Sequence, residues 1–294
     1  MDRANSNWWR DDRARSLAAV GIALVASGAA HLVAWVFLGG PWEGPVTWRK
    51  PILFGLSGGL TSLSLGWAWS KLPRRWGDRG LAAATAWALL VEIVLIDLQR
   101  WRGVASHFNR QTRFDSLVYD AMGVLILFVT AVIVDLAVRF LLHRTDLAAD
   151  MLLAARAGLV FLAVSCGLGI GASVHGDIRS AAGLPPETFG AAGVSKFPHG
   201  IAIHAIQWLP LFAWAARRAG LDERRRWWLV VASTVGTGLA LGYALVQTLS
   251  GRSRFDAPPL MIAILALGVA CLVLPAAIVA AAMITARRRP RPPA

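Results

Sequence analysis

The chain has 294 residues, 56% hydrophobic and only 16% charged, with a mean hydropathy of +0.54. A soluble domain carries about 25% charged residues, so this composition excludes a soluble globular protein; the apolar content equally excludes disorder, and two cysteines exclude a disulfide scaffold. The net charge of +13 sits mostly in short loops between apolar runs, which is the positive-inside pattern of a membrane protein and not a nucleic-acid-binding surface.

The class is therefore all-α, a polytopic membrane helix bundle. A crossing helix needs about 20 apolar residues. Residues 1–15 form a charged N-terminal segment, and the uncharged run 16–42 predicts the first span. That run is too long for the apolar core of a cleaved signal, and no small-x-small site follows it. The second span is expected at 51–70 and the third at 81–98, the latter carrying Glu92 and Asp97. The fourth, 116–142, carries Asp120, Asp135 and Arg139. Asp135 and Arg139 are four apart and read as an ordinary i,i+4 pair. The fifth to eighth are expected at 151–174, 198–216, 227–250 and 258–286, and a basic tail follows at 287–294. The count is eight.

With the N-terminus inside, 20 of the 30 Lys and Arg residues fall in inner segments. That orientation predicts a multi-pass protein of the plasma membrane with both termini cytoplasmic, its inner cations facing anionic lipid headgroups. Trp8, Trp9, Trp76, Trp227 and Trp228 fit an inner aromatic belt, and Trp42, Trp48 and Trp101 an outer one.

The chain reads as a tandem duplication, with repeats at 16–145 and 146–286. Val46-Thr47-Trp48-Arg49-Lys50-Pro51 opens the second span and Val194-Ser195-Lys196-Phe197-Pro198 the sixth. Gln99 with Gly103 and Gln247 with Gly251 lie 148 residues apart, and Arg113-Phe114-Asp115 matches Arg254-Phe255-Asp256. Four spans per repeat is an even number, so this 4+4 arrangement is parallel, with both halves in one orientation. Gly55, Gly58 and Gly59, with Gly236, Gly238 and Gly242, read as close-packing surfaces.

Polar residues collect on the expected outer side, where ten cations work against the positive-inside bias. Five of the six histidines fall in that half too. Ionisable groups inside a membrane usually face the bundle interior and act there. His31, Glu92, His107 and His204 are the candidates for catalytic proton work. His31, His175, His199 and His204 are the candidates for metal ligation, and His175, His199, Arg49 and Arg102 for holding a cofactor. That cofactor would be haem or a transition metal, since imidazoles ligate both and guanidinium suits carboxylate or phosphate groups such as haem propionates. Asn109, Gln207, Gln247 and Arg252 are placed to orient a substrate. His199 and His204 are five apart and do not share a helix face, so any shared ligand has to be held across helices.

Three functions fit these residues. The first is a haem- or metal-dependent membrane enzyme or redox protein with an outward-facing His/Arg/Glu pocket. The second is a proton-coupled transporter or channel using His31, Glu92 and His204. The third is an enzyme or binder for an anionic, lipid-linked substrate held at the outer arginines. No P-loop, HExxH, GxSxG, Rossmann fingerprint or CxxCH occurs.

Overall fold

A computed structural model of the protein describes residues 7–288; Arg3 of the expected N-terminal segment and residues 289–294 of the expected tail lie outside it. After a short turn at Trp8–Arg10 come α1 (Asp12–Leu38), α2 (Arg49–Lys71), α3 (Asp78–Trp101), α4 (Arg113–Leu142) and α5 (Ala149–Ala181). A two-residue hairpin, β1 (Thr188–Phe189) with β2 (Gly193–Val194), leads to α6 (Phe197–Ala202), α7 (Ala205–Arg218), α8 (Glu223–Leu249) and α9 (Pro259–Arg288). Among the described residues seven helices are long and apolar enough to cross a membrane. The expected sixth span is the exception: it is interrupted at Ile203 and His204 and forms the shorter α6 and α7. The chain is a multi-pass α-helical membrane protein.

The helices wear their apolar residues outward. Phe37, Val36, Leu117, Val124 and Ile262 are exposed, while Glu92, Gln99 and Asp115 are buried. Such a surface would drive aggregation in water, but lipid tails are as apolar as these side chains.

The chain divides into two compact units, one ending at Arg144 and the other beginning at Thr145. In the first, α1 lies along α2, and α3 packs against α1, α2 and α4. The α1–α2 contact is made by glycines. A Cβ added at Gly55 would stand 2.8 Å from the Gly28 backbone and 3.0 Å from the Leu24 carbonyl; one at Gly59 would stand 2.7 Å from the Gly21 carbonyl. Backbone atoms cannot yield as a side chain tip can. Gly55→Ala is therefore expected to push the helices apart and destabilise the unit by about 1–3 kcal/mol. Gly80→Ala, with nothing within 4 Å of its Cβ, is the control. Equal thermal midpoints for the two variants would contradict this packing.

The starts of α1 and α3 and the ends of α2 and α4 meet in a network of arginines and aspartates, here called the arginine end. Arg139 donates to both oxygens of Asp78, at 2.8 and 3.0 Å, and Arg13 approaches the same carboxylate at 3.5 Å. Arg13, Asp78 and Arg139 are all buried. The expected i,i+4 pair of Asp135 with Arg139 is present at 3.7 Å, and each residue has a shorter partner elsewhere: Asp135 accepts two hydrogen bonds from Arg75, at 3.2 and 3.0 Å. Arg139 reaches a buried carboxylate on another helix because burial leaves no water to satisfy that group.

Asp11 caps α1, accepting from the Arg13 backbone at 2.9 Å and from its side chain. Burial pushes its carboxyl up, but the hydrogen bonds and charge of Arg13, with the charge of Arg74, outweigh burial and hold it below the usual carboxylate range. A lowered folded-state value means stability that is complete above the ordinary 3.8 and is lost as pH falls through the lowered value. Asp11→Asn keeps a capping side chain without the charge. Its thermal midpoint should lie below the parent's at neutral pH and converge on it in acid; a gap independent of pH would refute the assignment.

In the second unit α5 packs against α6, α7 and α8, and α8 lies along α9. A Cβ at Gly236 would stand 2.8 Å from the Gly268 carbonyl on α9, so this glycine does form a close-packing surface. Gly242 does not, since nothing lies within 4 Å of its Cβ. Fully buried Asp150 at the start of α5 binds Arg217 of α7 at 3.1 Å and Arg226 of α8 at 2.8 Å.

Candidate functional site

At the other end of the first unit, α1 finishes, α2 begins, α3 finishes and α4 begins. Gly39, with φ +66°, stops α1, and the loop turns again at Gly40 (+110°) and Gly44 (+98°). This brings buried Trp48 back to donate to the Gly39 carbonyl at 2.9 Å. Trp101, at the end of α3, stands edge-on to Trp48 with ring centroids 5.1 Å apart, and the Arg100 guanidinium lies 3.9 Å over the Trp48 ring. Flat cations stack on indole in this way. This is the tryptophan end.

His31 is locked into that assembly. Its Nε2 accepts from the Trp101 indole N–H at 3.0 Å, so the ring proton sits on Nδ1, which donates to the Ser27 carbonyl at 2.9 Å. Both ring nitrogens are committed, and a ligand lone pair would have to be taken from one of these bonds. The Ser27 hydroxyl donates to Asp97 at 3.1 Å, and the other Asp97 oxygen is buried with no hydrogen-bond partner among the described residues. Asp97 and Ser27 belong to this cluster but carried no site reading in the sequence. Their link runs between α1 and α3, 70 residues apart, where no local spacing could reveal it.

Beside the aromatic cluster is a closed cleft with no room for a water molecule, walled by Thr47 and Lys50, by Ile96 and Arg100 of α3, and by Val104 and Ser106 of the loop beyond it. Thr47 is 1% exposed. Its hydroxyl has no hydrogen-bond partner among the described residues, and neither has the buried Nε of Arg100. Buried hydroxyls and guanidinium nitrogens are nearly always paired in folded proteins. The Ser106 hydroxyl meets His107 Nδ1 at 3.0 Å, and His107 packs near Phe54, Phe108 and Tyr119. Two cations, two hydroxyls and the start of α2 thus meet around one closed cleft.

The remaining expected site residues are placed as follows. Arg49 is half-buried at the start of α2. Arg102 is committed to Gln99 and to Asp115, the latter at 2.7 Å, while Gln99 also donates to Asp115 at 2.9 Å. These bonds tie α3 to α4 at its N-cap, where the Thr112 hydroxyl accepts from the Asp115 N–H and donates to the Asp115 carboxylate. Asn109 is spent on its own loop, donating to the Ala105 carbonyl at 3.0 Å and accepting from the Gln111 amide at 3.2 Å. That bracing holds Phe108 at φ +58°, a left-handed backbone that side chains resist. Glu92 is buried in α3, 14 residues from Asp78 and nine from Trp101, or roughly 21 and 14 Å along the axis. It has no hydrogen-bond or ion-pair partner among the described residues.

In the second unit His175 donates to the Thr188 carbonyl at 3.0 Å and stacks near Phe189. His199 meets the Ser165 carbonyl at 2.8 Å and the Ser165 hydroxyl at 2.9 Å. His204 caps α7 and is hydrogen-bonded by Gln207. Buried Gln247 donates to the carbonyls of Ser253 (3.1 Å) and Asp256 (2.8 Å), and exposed Arg252 closes the turn after α8 through its backbone. Among the described residues no three His, Cys, Asp or Glu side chains are gathered to hold a metal ion, so the expected four-histidine ligand set is not assembled. Each of these histidines has instead found a protein hydrogen-bond partner.

Comparison of the chain with known protein families, with curated proteins and with solved structures found no match.

Proposed function

We propose that the closed Thr47–Lys50–Arg100–Ser106 cleft of the tryptophan end opens to bind a small anionic group, a phosphate or carboxylate headgroup. The observation that carries this reading is the buried, unpartnered Thr47 hydroxyl in a cleft that Lys50 and Arg100 also line. The reading places this end at the outer face of the plasma membrane with both termini cytoplasmic, as the loop charges indicate. It favours the anionic-substrate function over the haem or metal function, because the histidines are spent on protein partners. Proton-coupled transport draws support from Glu92 alone.

We also infer that residues 16–145 and 146–286 are tandem repeats. Val104 N–H bonds the Gln99 carbonyl at 3.1 Å and Arg252 N–H bonds the Gln247 carbonyl at 3.0 Å. In each case a left-handed glycine, Gly103 or Gly251, sits between them. Each buried glutamine then donates to the aspartate of the following Arg-Phe-Asp, Gln99 to the Asp115 carboxylate and Gln247 to the Asp256 backbone carbonyl. The Thr47 counterpart, Ser195, donates to the Glu187 carbonyl at 3.1 Å. On this alignment only the first repeat keeps its hydroxyl open for a ligand.

The test is lipid binding by the purified chain in phosphatidylcholine nanodiscs, with phosphatidylglycerol titrated and inorganic phosphate as competitor. A charge-assisted hydrogen bond contributes about 1.5–3 kcal/mol, and 1.4 kcal/mol is tenfold in affinity. Lys50→Gln with Arg100→Gln should weaken phosphatidylglycerol at least tenfold, whereas Arg74→Gln at the arginine end should not. Equal loss from both changes would reduce the effect to net charge and overturn the site. Displacement by inorganic phosphate would identify the headgroup as the recognised part; failure to displace would make the lipid tail part of the site.

A further inference from the structure

The first unit holds a bond that cannot survive a proton. Trp101 donates its indole N–H to His31 Nε2 at 3.0 Å, and His31 Nδ1 donates to the Ser27 carbonyl at 2.9 Å. An imidazolium carries N–H groups on both nitrogens and has no lone pair. Protonating His31 would leave its bond to Ser27 intact and set two donors, its own Nε2–H and the Trp101 N–H, against each other. Of the two bonds, only the one to Trp101 has to break.

The surroundings suit that event. Asp97 Oδ2 of α3 stands 4.0 Å from His31 Nδ1, so a carboxyl group lies beside the ring to balance an imidazolium. Among the described residues Asp97 is the acidic group within ion-pair distance. Arg100 lies on the Trp48 ring, whose centroid is 6.2 Å from that of His31, and Arg49 and Lys50 begin α2, the other helix packed along α1. His31 is 8% exposed, which bars a bulky ligand but not a proton, whereas Trp101 is 59% exposed and already open on one side. Trp101 is also the last residue of α3. It adjoins Arg100, a wall of the closed cleft, and its ring braces Trp48, on which Arg100 is stacked. Letting go of the indole frees the end of α3 and with it the wall made by Arg100, Val104 and Ser106.

We propose that the His31–Trp101 bond is a proton-released latch that holds the Thr47–Lys50–Arg100–Ser106 cleft shut. The latch rests on the reading of that cleft as an anion site and supplies its opening step. Imidazoles change charge between about pH 5 and pH 8, so anion affinity rises as pH falls through that range.

The test uses the full chain, with its tryptophans isotopically labelled at the indole nitrogen, in phosphatidylcholine nanodiscs. The Trp101 N–H resonance, assigned by its loss in Trp101→Phe, should move from a bonded to a free position on acidification. It should stay in place in His31→Gln, whose amide oxygen accepts at every pH. Phosphatidylglycerol should bind the parent at least about fivefold more tightly at about pH 5 than at about pH 8. That gain should vanish in both variants, with His31→Gln keeping the weak affinity and Trp101→Phe the tight one. Because the glutamine could unsettle the fold, Trp101→Phe, which keeps an aromatic ring, carries the decision, and thermal midpoints are measured alongside. A Trp101 resonance indifferent to pH in the parent would overturn the latch. So would phosphatidylglycerol affinity that still follows pH in Trp101→Phe. Binding that needs Lys50 and Arg100 but ignores pH in the parent would overturn the latch and leave the anion reading standing. If the resonance moves as expected while phosphatidylglycerol binds at neither pH, the proton release of Trp101 is upheld and the anion reading fails.

Discussion

Asp78→Ala should destabilise the protein by about 3–5 kcal/mol, the loss typical when one partner of a buried ion pair is removed. The carboxylate is 2% exposed, and two of its three arginine partners, Arg13 and Arg139, are 4% and 7% exposed, Arg75 being the exposed third. Removing Asp78 leaves two cations in a site that water does not reach. It also strips an acceptor from the Arg75 backbone amide, now 2.9 Å away. Asp135→Ala breaks a pair that is one-third to one-half exposed and should change stability by less than about 1 kcal/mol. Denaturation of the detergent-solubilised chain measures both. A triple change, Arg13→Met with Asp78→Leu and Arg139→Met, should recover most of the loss, because apolar replacement of a buried ionic cluster is often neutral or better. If Asp78→Ala costs no more than Asp135→Ala, the buried network does not hold the helices together.

Glu92→Leu should act in the opposite direction and stabilise the protein by about 1–3 kcal/mol, the cost of a buried polar group left without a hydrogen bond. Glu92 is 7% exposed. Leucine is of similar size and has no polar group to satisfy. A stabilising core substitution available by one change implies that the native residue is kept for something other than stability. Glu92→Gln separates charge from polarity. It should stabilise less than leucine, because the amide still lacks partners. A large loss of stability in Glu92→Leu would contradict this account and would mean that Glu92 has a polar partner in the membrane-embedded protein.

The membrane class and seven of the eight spans were legible because a crossing helix announces itself by composition alone. The polar bonding was not, because it is made across helices. Asp135, one turn from Arg139, is the partner that spacing discloses, while the closer partner Asp78 begins its helix three residues before the apolar run counted at 81–98. His31 looked available as a ligand because nothing local discloses that Trp101, 70 residues on, donates to its Nε2. Thr47 carries no site reading in the sequence beyond its place in the repeated Val46–Pro51 stretch, since a single hydroxyl gains meaning only when burial shows it unpaired. The interruption at Ile203–His204 was hidden because the run 198–216 is apolar enough to read as one span. Glycine patterns were readable where two helices touch, as at Gly55 and Gly59, and misleading at Gly242, where none does.

The most direct test of anion binding at the tryptophan end is a structure of the detergent-solubilised protein soaked in tungstate, located by anomalous scattering. The account predicts a peak in the Thr47–Lys50–Arg100 cleft within hydrogen-bond reach of Thr47 Oγ1, lost in Lys50→Gln with Arg100→Gln. Tungstate bound only elsewhere, with the Thr47 hydroxyl turned onto a backbone carbonyl, would contradict it.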